Sequence, residues 1–116
     1  MDSILNSIKE LLGIPAEQLN FDTEVIIHIN SAFSDLYDIG VGPSEAFVIQ
    51  NENDMWDDFL QGSVNYENAK QYVYISVKIV FDPPASAAAL AALERRLDKL
   101  EWKLKEKAET IQNGET

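Results

Sequence analysis

The C-terminal third of the chain constrains the fold most, because a proline pair precedes a long run of strong helix formers. The stretch from Val80 to Thr110 is VFDPPASAAALAALERRLDKLEWKLKEKAET. A residue before proline avoids helical geometry, so a preceding helix is expected to end near Asp82. The alanines, leucines and charged residues that follow predict one helix from about Ser86 to Asn113. At about 1.5 Å per residue, this helix is about 40 Å long.

The length of that helix bounds how the rest of the molecule can pack. A chain of 116 residues is expected to form one domain. Such a domain has a radius of gyration of about 13–14 Å, so the last helix spans the whole body or projects beyond it. We therefore predict one domain overall, with an acidic helical body in residues 1–82 and the long helix with a frayed tail in residues 83–116.

Apolar residues recur along the last helix at steps of three and four, which is the spacing of a coiled-coil seam. The helix either lies on its own core or packs partly against another chain. Trp102 lies off the seam, where it is a candidate interface anchor or a cover for a neighbouring loop. The seam consists of Leu90, Leu93, Leu97, Leu100, Leu104 and Ile111. The candidate interface residues are Leu93, Leu97, Leu100, Trp102, Leu104, Arg95 and Arg96.

Helical spacing of apolar residues and capping residues predict four further helices. Residues 2–12 are capped by Asp2 or Ser3 and followed by Gly13, and residues 22–39 begin at Asp22 as N-cap. A short helix covers residues 54–60. The stretch NYENAKQYVYISVKIVF, residues 65–81, is rich in β-branched residues, but its length and charged flanks favour a helix.

These elements predict an all-α fold: a small bundle of four or five helices with a long C-terminal helix. Residues 45–50 form either a short extended segment or an apolar loop packed on the helices.

The charge of the chain is unevenly distributed. The net charge is -11, but residues 1–67 contain 13 acids and a single base, Lys9, whereas residues 68–116 contain 7 acids and 8 bases. An acidic body argues against direct binding to DNA or to an anionic membrane. The chain has no cysteine, which excludes disulfides and thiolate metal sites. Its apolar runs are shorter than the roughly 18 residues that span a bilayer.

No pattern in the chain predicts catalysis, a cofactor or a metal. Asp54, Asp57 and Asp58 could hold a divalent cation, but their spacing does not match an EF-hand loop, and acids at a helix N-terminus are the simpler interpretation. His28 has no neighbouring residue that completes an acid–base or metal site. We therefore predict that the protein is not an enzyme.

Two stretches, taken in order, resemble the head-tail connector proteins of long-tailed bacteriophages and prophages, also called adaptor or head-completion proteins. They are INSAFSDLYDIGVGPSEAFVI, residues 29–49, and YVYISVKIVFDPPASAAALAALERRLDKLEWKL, residues 72–104. The features that carry the resemblance are the GVGPSE loop, a tyrosine-rich helix that ends in FDPP, and a final helix with an LEWKL pattern.

The resemblance implies a helical subunit of the virion neck, assembled in the host bacterial cytoplasm as a ring beneath the portal protein. The ring is expected to match the portal's twelvefold symmetry, to extend the DNA channel and to offer a docking surface to the next neck or tail-completion protein. Double-stranded DNA would pass through without specific binding, and Asp54, Asp57 and Asp58 are the candidate acids for the channel wall. The family brings no catalytic residue to this chain.

Three alternatives remain open from the sequence. The first is an acidic protein-binding module, a DNA mimic or decoy that acts on a basic partner. The second is a metal-dependent enzyme that uses the acids of residues 54–58. The third is another neck role, stopper or tail terminator, for which a β-rich fold would be expected.

Overall fold

The computed structural model describes residues 2–61 and 65–112, with side chains described as far as Ala108. This part of the chain contains helices and no strand, which confirms the all-α prediction and the helical assignment of the fourth element. The helices are α1 (Ile4–Leu12), α2 (Asp22–Asp38), α3 (Trp56–Leu60), α4 (Tyr66–Phe81) and α5 (Ala87–Gln112).

Local capping explains where most of the helices begin and end. The Ser3 hydroxyl accepts a hydrogen bond from the Asn6 N–H at 3.2 Å, and Gly13 closes α1 in the left-handed conformation with φ 82°. Asn65 caps α4 in the same way, and Ser86 caps α5. These caps satisfy backbone donors that a free helix end would leave to water.

The predicted cap of α2 is wrong by one residue. Phe21 occupies the N-cap position and makes no side-chain capping bond, and Asp22 is the first residue of the helix. The physical reason is that the Asp22 carboxylate pairs with the Lys9 ammonium group, 2.7 Å away, instead of turning back to its own helix.

Helix α4 lies at the centre of the molecule, where it contacts α1, α2 and α5. The rings of Phe21 and Phe81 meet edge to face at 5.5 Å, so the start of α2 lies beside the end of α4. Arg96 hydrogen bonds to Gln71 at 3.1 Å, so α5 runs back along α4 after the turn that contains the two prolines. Helices α2 and α5 are therefore both antiparallel to α4.

An aromatic cluster fills the space between α2 and α3. The ring of Phe33 packs against the rings of Phe47, Trp56 and Phe59 at centroid distances of 4.6–6.0 Å. Trp56 is fully buried, and its indole N–H donates to the Ser7 hydroxyl at 2.8 Å. Because the buried indole N–H has a partner, this tryptophan joins α3 to α1 without an unsatisfied polar group.

Residues 46–50 are not a strand; they form an apolar loop held on α2 by one side chain. The Asn30 amide N–H donates to the Ile49 carbonyl at 3.0 Å, and the Asn30 amide oxygen accepts from the Ile49 N–H at 2.8 Å. This pair of bonds gives Ile49 the partners that a neighbouring strand would otherwise supply. The Ile49 side chain is buried, whereas the next residue back, Val48, is exposed.

The GVGPSE loop depends on its second glycine. Gly42 has φ 104°, a conformation that L side chains rarely adopt. A Cβ atom placed on Gly42 would lie 2.6 Å from Cε1 of Phe59, inside the aromatic cluster. The loop can therefore pass close over Phe59 only because this position has no side chain.

Helix α5 spans the long dimension of the molecule. Its 26 residues correspond to about 39 Å, and the longest extent of the Cα trace is 43 Å. The radius of gyration is 14.1 Å. The predicted frayed tail lies outside the described residues.

Candidate interface and channel surfaces

The leucine seam of α5 belongs largely to the protein's own core. Leu100 and Leu104 are buried among the apolar residues of α1, α2 and α4, and Leu93 and Leu97 pack partly against the same core. The chain itself therefore covers Leu100 and Leu104, which the sequence had suggested as candidates for an intermolecular contact. For this part of the seam, the helix therefore lies on the protein's own core, which is one of the two alternatives that the sequence left open. The side chain of Ile111 lies outside the described residues.

The opposite face of α5 is turned to solvent. Trp102 is 63% exposed, the second-largest exposure among the large apolar side chains described as exposed. Among the residues whose side chains are described, five charged residues lie within about 60° of Trp102 around the helix axis, because successive residues are about 100° apart. They are Arg95, Asp98, Lys99, Lys105 and Glu106. We call Trp102 and these five residues the outer face of α5.

Arg96 lies beside this face, but its side chain stabilises the packing of the chain on itself. Its guanidinium donates to the Gln71 side-chain oxygen at 3.1 Å, which ties α5 to α4. Lys70 lies 5.4 Å from the centre of the Tyr66 ring, and Lys78 pairs with Asp82 at 2.9 Å. The remaining bases form no ion pair with another described residue, and all of them lie on α5. They are Arg95, Lys99, Lys103, Lys105 and Lys107.

Lys9 is the one base of residues 1–67, and it is fully buried. Its ammonium group donates to the carbonyls of Ala16 and Gln18 at 3.1 and 2.7 Å and pairs with Asp22 at 2.7 Å. The two carbonyl acceptors and the opposite charge of Asp22, whose buried Oδ1 makes the ion pair without a hydrogen bond, make this buried lysine tolerable. As a result, the described surface of residues 2–61 bears no lysine or arginine head group.

The acids predicted for the channel wall lie around the start of α3, where two of them hold the backbone. The Asp54 carboxylate accepts from the N–H groups of Gln50 and Asn51 at 2.7 and 3.3 Å. The Asp58 carboxylate accepts from the Met55 N–H at 3.2 Å, as expected for an acid in the first turn of a helix. Asp57 and Asp58 are exposed and Asp54 is half-buried.

These acids do not gather into a metal site. Across residues 2–61 and 65–112, no three histidine or carboxylate side chains are placed to hold a metal ion together. His28 lies 3.8 Å from Glu24, one turn away on the surface of α2, which fits a structural role. The hypothesis of a divalent site at residues 54–58 has no geometric support in the described residues.

Tyr72 is a buried phenol with acids around it. The side chain on α4 is 3% exposed, and burial together with the charges of Asp35, Glu101 and Asp98 raises its pKa to about 12. Burial and negative charge both disfavour the phenolate. The antiparallel register explains the cluster, because Asp35 on α2 and the two acids on α5 lie at one level of the bundle.

An open groove of about 600 Å³ runs along α1 on the body. Its wall is formed by the exposed side of α1 and by the turn after it, and it contains two acids and no base. The lining residues are Asp2, Ser3, Asn6, Ser7, Glu10, Gly13, Ile14, Pro15 and Ala16. We call this the α1 groove.

Fold and surfaces define a small helical protein with an acidic body and a last helix whose outer face carries a tryptophan among charges of both signs. A family model described as phage connector protein matches residues 4–110, and the chain belongs to this family. The family is one of structural proteins with a head-tail connector role. No curated protein and no solved structure was found to match the chain. Within the described residues, no helix combines the length and apolarity needed to cross a bilayer.

Sequence reasoning missed two residues that organise these surfaces. The burial of Lys9 was missed, although a lone base among 13 acids was a visible signal. The Asn30 clamp was missed because its partner lies 19 residues away and is a backbone group. No local pattern could have indicated that contact.

Proposed function

We propose that the protein is a virion neck subunit that assembles as a ring beneath the portal protein. In this role it extends the DNA channel and gives the next neck or tail-completion protein a surface to dock on. The observation that carries the proposal is the family match over residues 4–110, which covers nearly the whole chain. Twelve copies in the ring would match the symmetry expected of the portal.

The outer face of α5 supports this assignment. A subunit of a ring needs exposed surface for its neighbours in addition to the surface that is buried in its own core. The contact between neighbours must join two different surfaces, because only such a heterologous contact, repeated by rotation, forms a closed ring. Trp102 and Arg95 are of the residue types that dominate binding energy at interfaces. Both lie on the exposed side of α5, away from the seam that packs on the core. Repeating such a contact around a ring adds avidity.

Asp54, Asp57 and Asp58 are proposed to face the channel. A wall of carboxylates repels phosphate, so that DNA slides past without adhering. The described surface of residues 2–61 has no lysine or arginine head group that would hold a phosphate back. The protein acts in this account by shape and charge, without catalysis, a metal or a cofactor. Its place is the neck of the virion, after assembly in the host bacterial cytoplasm.

The mass of the purified protein in solution, alone and with its portal protein, tests the assignment. Light scattering behind a sizing column should give either a monomer that joins the portal as a ring or a ring that forms by itself. A monomer that does not bind the portal at any concentration tested would overturn the proposal.

Neutralising the acids tests the channel role separately. We expect Asp57→Asn with Asp58→Asn to slow DNA ejection from assembled particles, because phosphate repulsion at the wall is weakened. Asparagine still accepts a hydrogen bond at the start of α3, so the fold is retained. Asp38→Asn with Glu17→Gln, two exposed acids elsewhere in the body, is the matched control. An unchanged ejection rate in correctly assembled particles would remove these acids from the channel wall.

A second candidate is an acidic module that binds a basic protein as a DNA mimic. The observation that favours it is the described surface of residues 2–61, which bears no lysine or arginine head group. It predicts a monomer or dimer that ignores the portal and binds a cationic protein with an affinity that falls steeply with salt. The mass measurement separates the two candidates, because only a connector enters a portal complex of defined stoichiometry.

A further inference from the structure

The surface of this protein is electrostatically one-sided. The only base of residues 1–67 is Lys9, whose ammonium group is enclosed by Ala16, Gln18 and Asp22. Apart from Lys70, which lies over the Tyr66 ring on α4, the bases that form no ion pair with another described residue all lie on α5. Two copies that meet through the same surface therefore place acid against acid at the body. A contact between α5 of one copy and the body of the next places opposite charges together.

This asymmetry selects a heterologous contact over an isologous one. An isologous dimer repeats one surface on both sides of its axis, whereas a heterologous contact joins two different surfaces and can continue into a ring. Like charges across an interface suppress the wrong arrangement, and complementary charges set the orientation. The remaining question is which part of the acidic body receives α5.

The α1 groove has the shape and charge for this role. Its volume of about 600 Å³ is in the range of pockets that enclose an aromatic ligand. Its acids, Asp2 and Glu10, lie eight residues apart, and the short polar side chain of Asn6 lies between them. The Asp2 carboxylate also accepts a hydrogen bond from the Tyr66 hydroxyl at 3.3 Å, which helps to hold it at the groove.

The outer face of α5 presents the complementary pattern. Trp102 projects from the middle of the face, and Lys99 and Lys105 lie three residues before and after it. The two lysines are about 9 Å apart along the helix axis. Glu10 lies on α1 and Asp2 lies two residues before its first residue, so the two acids are farther apart than the lysines. A long flexible lysine side chain covers the difference. The face also carries Asp98 and Glu106, so its net charge is modest and the indole must supply most of the contact.

We propose that Trp102 of one copy enters the α1 groove of the next copy, with Lys99 and Lys105 beside the acids of the groove. This inference rests on the proposed ring and names its contact between neighbours. The occupant of the groove is a second copy of this chain.

Site-directed cross-linking tests the contact without a background, because the chain contains no cysteine. Asn6→Cys and Lys99→Cys are made as separate full-length variants, mixed in the presence of portal protein and treated with a short bis-maleimide. We expect dimers that contain one copy of each variant, and no dimers from either variant alone. The double variant should give a ladder of products that ends at the size of the ring.

The outcomes separate this inference from the proposed function. If a ring forms by mass but the mixture yields no mixed dimers, the groove is not the neighbour's contact and the inference is overturned, while the ring stands. Dimers from Asn6→Cys alone or Lys99→Cys alone would indicate an isologous contact and would also overturn it. If no ring forms with portal protein, the inference and the proposed function fail together.

A truncation of the anchor gives an independent check. Trp102→Ala should raise the protein concentration needed for ring assembly by about tenfold or more, the effect of losing a central aromatic anchor. Ile27→Ala removes a comparably exposed apolar side chain from the outer side of α2 and should leave assembly unchanged. Helical content, followed by circular dichroism, should be the same in both variants. Equal effects of the two substitutions would contradict a specific role for Trp102.

Discussion

Lys9 illustrates how a charged residue can act as part of the core. Its ammonium group joins three parts of the chain: α1, the turn that follows, and the first residue of α2. The aliphatic stem is covered by apolar neighbours, and the head is satisfied by two carbonyls and one carboxylate. The residue therefore fixes the angle between α1 and α2 as well as removing a positive charge from the surface.

We expect Lys9→Met to destabilise the protein by about 3 kcal/mol, because the Asp22 carboxylate and two carbonyls lose their partner inside the molecule. Urea unfolding followed by circular dichroism measures the free energy of unfolding. Lys70→Met is the control, since Lys70 is half-buried over the Tyr66 ring and contributes about 1 kcal/mol or less. Similar losses for the two variants would mean that the buried bonds of Lys9 carry little stability.

Alanine substitutions at two glycines separate the free-energy cost of backbone strain from the cost of steric overlap. Gly13 and Gly42 both have positive φ, but a Cβ on Gly13 meets nothing within 4 Å, whereas one on Gly42 meets Phe59 at 2.6 Å. We expect Gly13→Ala to cost about 1 kcal/mol from backbone strain alone. Gly42→Ala should cost about 2–4 kcal/mol, because Phe59 must also move within a packed cluster. Equal costs, measured by urea unfolding, would show that Phe59 moves aside freely.

At the level of elements, the side-chain amide of Asn30 supplies the backbone hydrogen bonds that a neighbouring strand would supply in a sheet. Residues 46–50 have no regular secondary structure, and Ile49 is tied to α2 through both of its backbone groups. The rings of Phe33 and Phe47 pack beside this clamp at 5.1 Å. The loop is therefore ordered by polar bonds to Asn30 and Asp54 and by the contacts of the Phe47 ring with Phe33 and Phe59, rather than by a sheet.

Asn30→Ala should release residues 46–50 from their attachment to α2. The Ile49 N–H and carbonyl would lose their partners at a buried position, and we expect a loss of about 2 kcal/mol together with faster hydrogen exchange at the Ile49 amide. Asn51→Ala removes one exposed local bond to the Asn53 N–H and should change the free energy of unfolding by less than about 1 kcal/mol. An Ile49 amide that exchanges at the wild-type rate in Asn30→Ala would refute the clamp.

Tyr72, packed between three helices, makes stability depend on alkaline pH. Its pKa is raised to about 12 in the folded protein from 10.0, so the unfolded chain ionises first. Its contribution is complete below pH 10 and is lost as the pH rises towards 12, because there the unfolded state binds fewer protons than the folded one. The loss should reach about 2–3 kcal/mol. Urea midpoints at pH 9 and pH 11.5 should differ less in Tyr72→Phe than in the wild type, and equal differences would contradict this.

The positions of the helices were predictable from local chemistry, whereas the partners against which their faces pack were not. Ser3, Gly13, Asn65 and Ser86 act on neighbours in the sequence, and these signals placed the helix ends within a residue or two. A leucine seam has the same period whether it meets its own core or another chain. The sequence therefore could not assign Leu100 to the interior.

The remaining differences arise from contacts between distant residues. Asp22 would cap α2 if Lys9 were elsewhere, and Asn30 acts on a carbonyl from another part of the chain. The exposure of Trp102 was predictable, because it lies off the seam by simple helical geometry. Its partner was not, because that depends on the surface of the whole molecule.

For the whole molecule, the acidic body makes folding sensitive to ionic strength. Residues 1–67 contain 13 acids against one base, and this excess of negative charge opposes the compact state through self-repulsion. We expect the thermal midpoint, followed by circular dichroism, to rise by a few degrees between about 20 mM and 300 mM salt, as screening shortens to about 6 Å. The rise should be the same with sodium and potassium chloride.

A matched variant checks the origin of this effect. Glu45→Gln with Glu52→Gln removes two exposed acids near the aromatic cluster and should reduce the gain from salt. A larger gain in the variant than in the wild type would indicate that these acids are held by attractive contacts instead.

The two faces of α5 also differ in how freely they can change over evolutionary time. A substitution at Leu100 or Leu104 must fit a core built from the other helices, and most changes there unfold the subunit. A substitution at Arg95, Lys99 or Trp102 leaves the core untouched and alters only what the helix meets outside. One helix can therefore keep its fold while its outer face changes to match a different partner.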